Sequence, residues 1–136
     1  MMSTLKTRME IFKKMSKEKL MVSDKKLLDI IIEAIKSKRG KDIMLMDLTE
    51  LSVFAEYFIL VTSSSSPQAN ALVDSIDEAA HKAGVKGIRP QGERNSPWIL
   101  FDFGSVIVHI LTEEARGFYQ LERLWSDAKK HIIKDE

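Results

Sequence analysis

Three sets of side chains in this sequence have types and spacing that could support chemistry. Asp102 and His109 flank Gly104-Ser105, so a hairpin closed there makes them diagonal cross-strand neighbours. A carboxylate orienting an imidazole is half of a hydrolytic triad. The nucleophile is missing, because no Gly-x-Ser-x-Gly elbow occurs and Ser105 sits in the turn itself. A structural hydrogen bond is the plainer use of this pair. The second set is Ser63-Ser64-Ser65-Ser66, whose hydroxyls lead into a helix start and so favour anions. It has neither the glycines nor the lysine of a phosphate-binding loop, and no Asp-x-Asp follows it for two-metal phosphoryl transfer. Capping explains these serines better. A nucleotide- or RNA-modifying enzyme using the Ser63–Ser66 loop remains the alternative. Third, His81, His109 and His131 lie far apart, with no His-Glu-x-x-His motif. None of the three sets implies a metal or a cofactor.

The elements that must position these residues follow from patterning. The chain has 136 residues, 44% of them hydrophobic and 30% charged. Those values predict one globular domain and exclude wholesale disorder. No apolar run approaches the roughly 20 residues of a membrane-spanning helix. With no cysteine, a disulfide scaffold, a thiolate zinc site and a cysteine nucleophile are all excluded.

Charge divides the sequence. Residues 1–22 hold Lys6, Arg8, Lys13, Lys14, Lys17 and Lys19 against Glu10 and Glu18, an excess of four positive charges. With a net charge of +1 overall, residues 23–136 carry −3. The leader is read as a basic N-terminal extension, and 23–136 as a single folded domain. Three uses of the leader stay open: a terminal extension, a surface helix touching RNA or a membrane, and an organelle presequence. A mildly acidic body suits a basic protein partner better than a phosphate backbone.

Ser23 caps a predicted helix over 24–38, with Leu27, Leu28, Ile31, Ala34 and Ile35 on its apolar face and Gly40 as its stop. Ile43–Met46 and Tyr57–Val61 read as strands covered on two faces, which calls for helices on both sides of the sheet. Ser66-Pro67 starts a helix that Gly84 ends, and a further strand is expected around 86–90. Gly104-Ser105 predicts a two-residue hairpin turn pairing Phe103 with Val106, Phe101 with Val108 and Ile99 with Ile110. One hairpin face is then wholly apolar. The other, with Trp98, Leu100, Asp102, Ile107, His109 and Leu111, is mixed and is the first place to look for a partner surface. Thr112 caps a last helix whose core stripe is Phe118, Leu121, Leu124, Trp125 and Ala128, with Arg116, Tyr119, Gln120 and Arg123 mostly on other faces. Trp125 is expected in the core, Trp98 at an interface.

Taken in order, several blocks resemble the ribosomal silencing factor family, also called Iojap-like. They are Lys41-Asp42-Ile43 with Asp47, Ala55-Glu56-Tyr57-Phe58-Ile59, Ser65 and Gln68, Trp98 to Gly104 with Val108-His109-Ile110, and Arg116 to Trp125. The resemblance covers residues 24–128. It implies an α/β fold, a mixed sheet of about five strands flanked by helices on both faces. The shape would be nucleotidyltransferase-like but without an active site. It implies a non-enzyme that binds ribosomal protein uL-fourteen on the large ribosomal subunit, obstructs small-subunit joining or acts late in assembly, and is a homodimer when free. Such a protein works in the bacterial cytoplasm or, alternatively, in a mitochondrial or plastid matrix. RNA contact would be secondary, through residues 1–22, and no membrane is involved. Trp98 and Leu100 would anchor the partner, Asp102 would pair with a basic group, and His109, Arg116 and Tyr119 would complete a polar rim. The sequence departs from the family's usual residues at Glu56, Ser63, Pro67, Gln91, Phe103 and Ser105. Acids are common in the family at the positions of Gln91 and Ser105, so charged contacts there would be weaker.

Overall fold

The computed structural model describes residues 23–53, 55–88 and 96–134. The basic leader therefore lies outside the described residues, as do Gln91 and the end of the strand expected at 86–90. Helix α1 (Asp24–Ser37) starts as its sequence predicts: the Ser23 hydroxyl accepts the Lys26 N–H at 3.3 Å, and Asp24 sits in the positive first turn. Its five expected apolar residues are all buried. Its stop differs from expectation. Arg39, at φ 59, takes the left-handed conformation in place of Gly40. Gly40 answers a different need, since a Cβ there would lie 2.6 Å from both Ile35 Cγ2 and Val61 Cγ2.

Strands β1 (Lys41–Asp47) and β2 (Tyr57–Ser63) pair antiparallel, with a bulge between Lys41 and Met44 where Asp42 adopts φ 50. Helix α2 (Ser66–Lys82) is capped by Ser65, whose hydroxyl accepts the Gln68 N–H at 3.2 Å. It closes as expected at Gly84, φ 80, where the Gly84 and Val85 N–H groups return to the His81 and Ala80 carbonyls. The strand expected next is reduced, among the described residues, to a single bridge between Ile88 and Asp102.

Strands β3 (Trp98–Asp102) and β4 (Val106–Thr112) form the hairpin in the predicted register, Ile99 opposite Ile110 and Phe101 opposite Val108. Gly104 supplies the left-handed turn at φ 83, and the Phe103 N–H closes it on the Val106 carbonyl at 2.9 Å. The turn is tied down at two points. The Ser105 hydroxyl bonds Asp24 at 2.8 Å, and its carbonyl accepts the N–H groups of Glu56 and Tyr57.

Two features depart from the predicted C-terminal helix. It breaks at Gln120, φ 47, into α3 (Glu113–Tyr119) and α4 (Leu121–Leu124), and the chain then returns as β5 (Lys129–Ile132) along β1. The break takes Phe118 and Leu124 off the expected core stripe, leaving them 81% and 66% exposed. Leu121 and Ala128 stay buried, and Trp125 packs edge-on against Phe58 at 5.8 Å. The Lys130 ammonium donates to the carbonyls of Trp125, Ser126 and Ala128, which secures the end of α4.

The result is a mixed five-stranded sheet in the order β3-β4-β2-β1-β5, with β2 and β4 parallel. One face packs on α1 and α2 through Ile59, Val61, Phe101, Phe103, Val106, Val108 and Ile110. The other, with Met46, Phe58, Leu60, Ile107 and Leu111, is covered by Ala115, Leu121 and Ala128 of the short C-terminal segments. The helix layers expected on both faces are present, and they are unequal.

The Gly40 contact generates a prediction. Gly40→Ala should lower unfolding free energy by about 1–3 kcal/mol, the usual cost of overpacking. Gly84→Asn, at a left-handed position with open space around it, should cost less. Urea denaturation of the two variants measures both.

Candidate functional site

The thinly covered face holds the residues singled out from sequence, and the structure sorts them by depth. Trp98, Leu100, Asp102 and His109 share that face because they alternate along β3 and β4. Trp98 and Leu100 are half-buried and pack at the margin of the second core. Tyr119, at the end of α3, is 45% exposed and lies 4.7 Å from the Trp98 ring. These three reach the surface together.

Asp102, expected to pair with a basic group of the partner, and His109 and Arg116, expected with Tyr119 in a polar rim, are all engaged inward. Asp102 is fully buried, and its Oδ1 accepts the Gly104 N–H at 2.8 Å, so the carboxylate stabilises the hairpin turn. His109 is 2% exposed. Its Nδ1 accepts the Trp98 indole N–H at 3.0 Å, so the imidazole is engaged by the indole and not by Asp102. Burial pushes the His109 pKa down to about 3, which keeps the ring neutral. Arg116 is also held inward. Its guanidinium donates to the Asp42 carbonyl at 2.8 Å, to the Thr62 hydroxyl at 3.0 Å and to Glu122 at 3.3 Å. It therefore ties α3 and α4 to the bulge of β1 and the end of β2. Asp102 and His109 are buried and Arg116 is half-buried, and each supports the surface through partners of its own.

Phe118 was missed as a surface residue. It stands edge-on to Tyr119 at 5.1 Å and extends the aromatic row from Trp98 through Tyr119. Helical periodicity places it in the core, and only the break at Gln120 turns it outward. Gly117, which weakens a helix interior, was the one local sign of that break.

The serine loop is engaged internally. The Ser64 N–H and hydroxyl both donate to Gln68 Oε1, at 2.7 and 2.9 Å, while Gln68 Nε2 donates to the Lys38 and Arg39 carbonyls. The donors that would meet an anion thus hold the start of α2 to the end of α1. Among the described residues no group of three or more His, Asp or Glu is placed to hold a metal ion. No described helix is long and apolar enough to cross a membrane. What the face offers is an apolar, aromatic contact area on a fixed backing, suited to binding a macromolecule.

Comparison with known proteins agrees in outline. The family model described as "Ribosomal silencing factor during starvation" matches residues 22–136. The ribosomal silencing factor of Bacillus subtilis is 33% identical over 107 residues, covering 79% of this chain and 91% of that one. A solved protein of Chromobacterium violaceum superposes with a TM-score of 0.74 at 29% identity, over 83% of this chain and 94% of its own. A mouse protein named for mitochondrial assembly of the ribosomal large subunit is 22% identical over 102 residues, 73% of this chain and 45% of its own.

Two predictions follow from the buried supports. Arg116→Met should destabilise the fold by about 1–3 kcal/mol, since it leaves the Thr62 hydroxyl and Glu122 without their donor. Chemical denaturation measures this. For His109, the folded pKa lies below the ordinary 6.5, so the unfolded chain binds the proton first. Its contribution to stability is present above about pH 6.5 and falls by roughly 1.4 kcal/mol per pH unit as pH drops towards the folded value. Denaturation at pH 7 and at pH 5, where carboxylates stay largely ionised, should show the fall in the natural protein and not in His109→Leu.

Proposed function

Because the chain belongs to the ribosomal silencing factor family, we propose that it binds the large ribosomal subunit and keeps the small subunit from joining. The observation that carries this reading is the aromatic row Trp98–Tyr119–Phe118 beside Leu100, presented on the thinly covered face of the sheet. Trp and Tyr supply large contact area at low entropic cost, and they dominate protein interfaces for that reason.

The contacted protein is uL-fourteen on the intersubunit face. Trp98 and Leu100 anchor it, Tyr119 and Phe118 flank them, and Asp102, His109 and Arg116 hold the frame behind. Bound there, a domain of this size occupies space the small subunit needs. The effect is steric and requires no chemical step. The mouse relative's name adds a role in large-subunit assembly, which the same docking position would serve. The mildly acidic body suits a basic partner. A homodimer of the free protein and a place in the bacterial cytoplasm belong to the same proposal.

The experiment is gradient sedimentation with separated ribosomal subunits. The protein should travel with the large subunit, and preincubation should reduce joined ribosomes. Trp98→Ala and Tyr119→Ala should each weaken large-subunit binding by about 2 kcal/mol, roughly 30-fold. Glu78→Ala, on the opposite helical layer, should leave it unchanged. A folded Trp98→Ala protein with natural affinity would remove this face from the site. Deleting residues 1–22 should leave large-subunit binding in place. Steep salt dependence that disappears with the leader would instead point to RNA contact.

A further inference from the structure

We propose that His109 is a positioning residue for partner binding, a buried imidazole that holds the Trp98 indole, and Tyr119 beside it, in the orientation that meets the large subunit. The inference rests on the docking face described above.

Position 109 lies within a buried apolar strand. Val106, Ile107, Val108, Ile110 and Leu111 surround it, each at most 1% exposed. An aliphatic residue would satisfy burial at this point with no polar group to pair. The imidazole does not. With Nδ1 accepting the indole proton at 3.0 Å, the ring's own proton must be on Nε2. That atom is buried and has no hydrogen-bond partner among the described residues. A buried donor left unpaired is unfavourable, so this histidine is not the residue that burial alone would select.

The polar bond it does make points outward, to the half-buried Trp98 at the surface of an edge strand. The imidazole is itself braced, because Phe58 packs against it at 4.5 Å and an interplanar angle of 62°. Trp98 in turn lies 4.7 Å from Tyr119. Core, imidazole, indole and phenol thus form one contact series from the middle of the sheet to the surface. An indole held before the partner arrives loses less conformational freedom on binding.

Two substitutions separate positioning from packing. His109→Leu removes the acceptor and keeps an apolar side chain. His109→Asn offers an amide oxygen close to the place of Nδ1. The readouts are thermal unfolding, the nitrogen-15 resonance of the Trp98 indole N–H with Trp125 as internal reference, and affinity for isolated large subunits. The Leu variant should unfold no earlier than the natural protein at pH 7, shift the Trp98 resonance and not that of Trp125, and bind about fivefold more weakly, the loss of one ordinary hydrogen bond. The Asn variant should recover most of both signals. Natural affinity in a folded Leu variant would overturn the inference, as would an Asn variant that binds no better than Leu.

If the Leu variant fails to fold, Trp98→Phe removes the donor from the other side of the bond and should show a similar loss. Natural affinity there overturns the proposal as well. Trp98→Ala keeps the two levels apart. Unchanged binding in that variant sinks the docking face itself, whereas weak binding there with natural affinity in His109→Leu sinks only the role of His109.

Discussion

A parallel strand pair must be covered on both faces, and the rest of this structure is a response to that demand. Strands β2 and β4 run parallel at the centre of the sheet, and both are buried over nearly their whole length. Two full helices, α1 and α2, meet the demand on one side. On the other there is only the broken segment of α3 and α4, pinned by the Arg116 guanidinium to β1 and β2. That segment covers the face thinly and reaches the β3 edge through Tyr119, which packs on Trp98. Trp98 and Leu100 stay half-buried at this margin, and Tyr119 is exposed there.

The division between surface and support has a physical logic. Groups that must be held in one geometry lie inward and are engaged by the frame, although the His109 Nε2 has no partner among the described residues. Asp102 holds the turn, His109 the indole, and Arg116 the C-terminal segment. The groups that reach the surface at this margin, Trp98, Leu100 and Tyr119, are apolar or aromatic and lose little by being rigid. Removing a buried support therefore alters the surface without touching it, and the charged residues near this margin contribute by placing aromatic ones.

Much of this was legible in the sequence. Caps at Ser23 and Thr112, the Gly84 stop and the hairpin register all follow from local chemistry, and local chemistry is what a sequence displays directly. Trp98, Leu100 and Tyr119, read from the same local patterns as contact residues, lie together at one margin of the sheet, the first two half-buried and the third exposed. The last helix differs from expectation because its stripe of Phe118, Leu121, Leu124 and Trp125 is periodic, whereas the left-handed turn at Gln120 interrupts it with only Gly117 as a local sign. Strand β5 was missed for a related cause, since Lys129-Lys130-His131-Ile132 has no strand pattern of its own and gains one only by pairing with β1. Arg116 is drawn inward by Asp42 and Thr62, far away in sequence, and the depth of Asp102 and His109 follows from the packing around the hairpin, which residue type alone does not display.

The pairing of β5 with β1 also bears on how the chain stays out of aggregates. Strand β1 carries Ile43-Met44-Leu45-Met46, four apolar residues in a row. As the last strand of the sheet it would offer unpaired backbone groups and sticky side chains to any neighbour, a template for intermolecular growth. The C-terminal strand takes that position instead and puts Lys129 at the outer edge, where charge discourages further pairing. Loss of Lys129–Ile132 would thus remove a guard from the sheet while leaving the Trp98–Tyr119 margin at its far side intact.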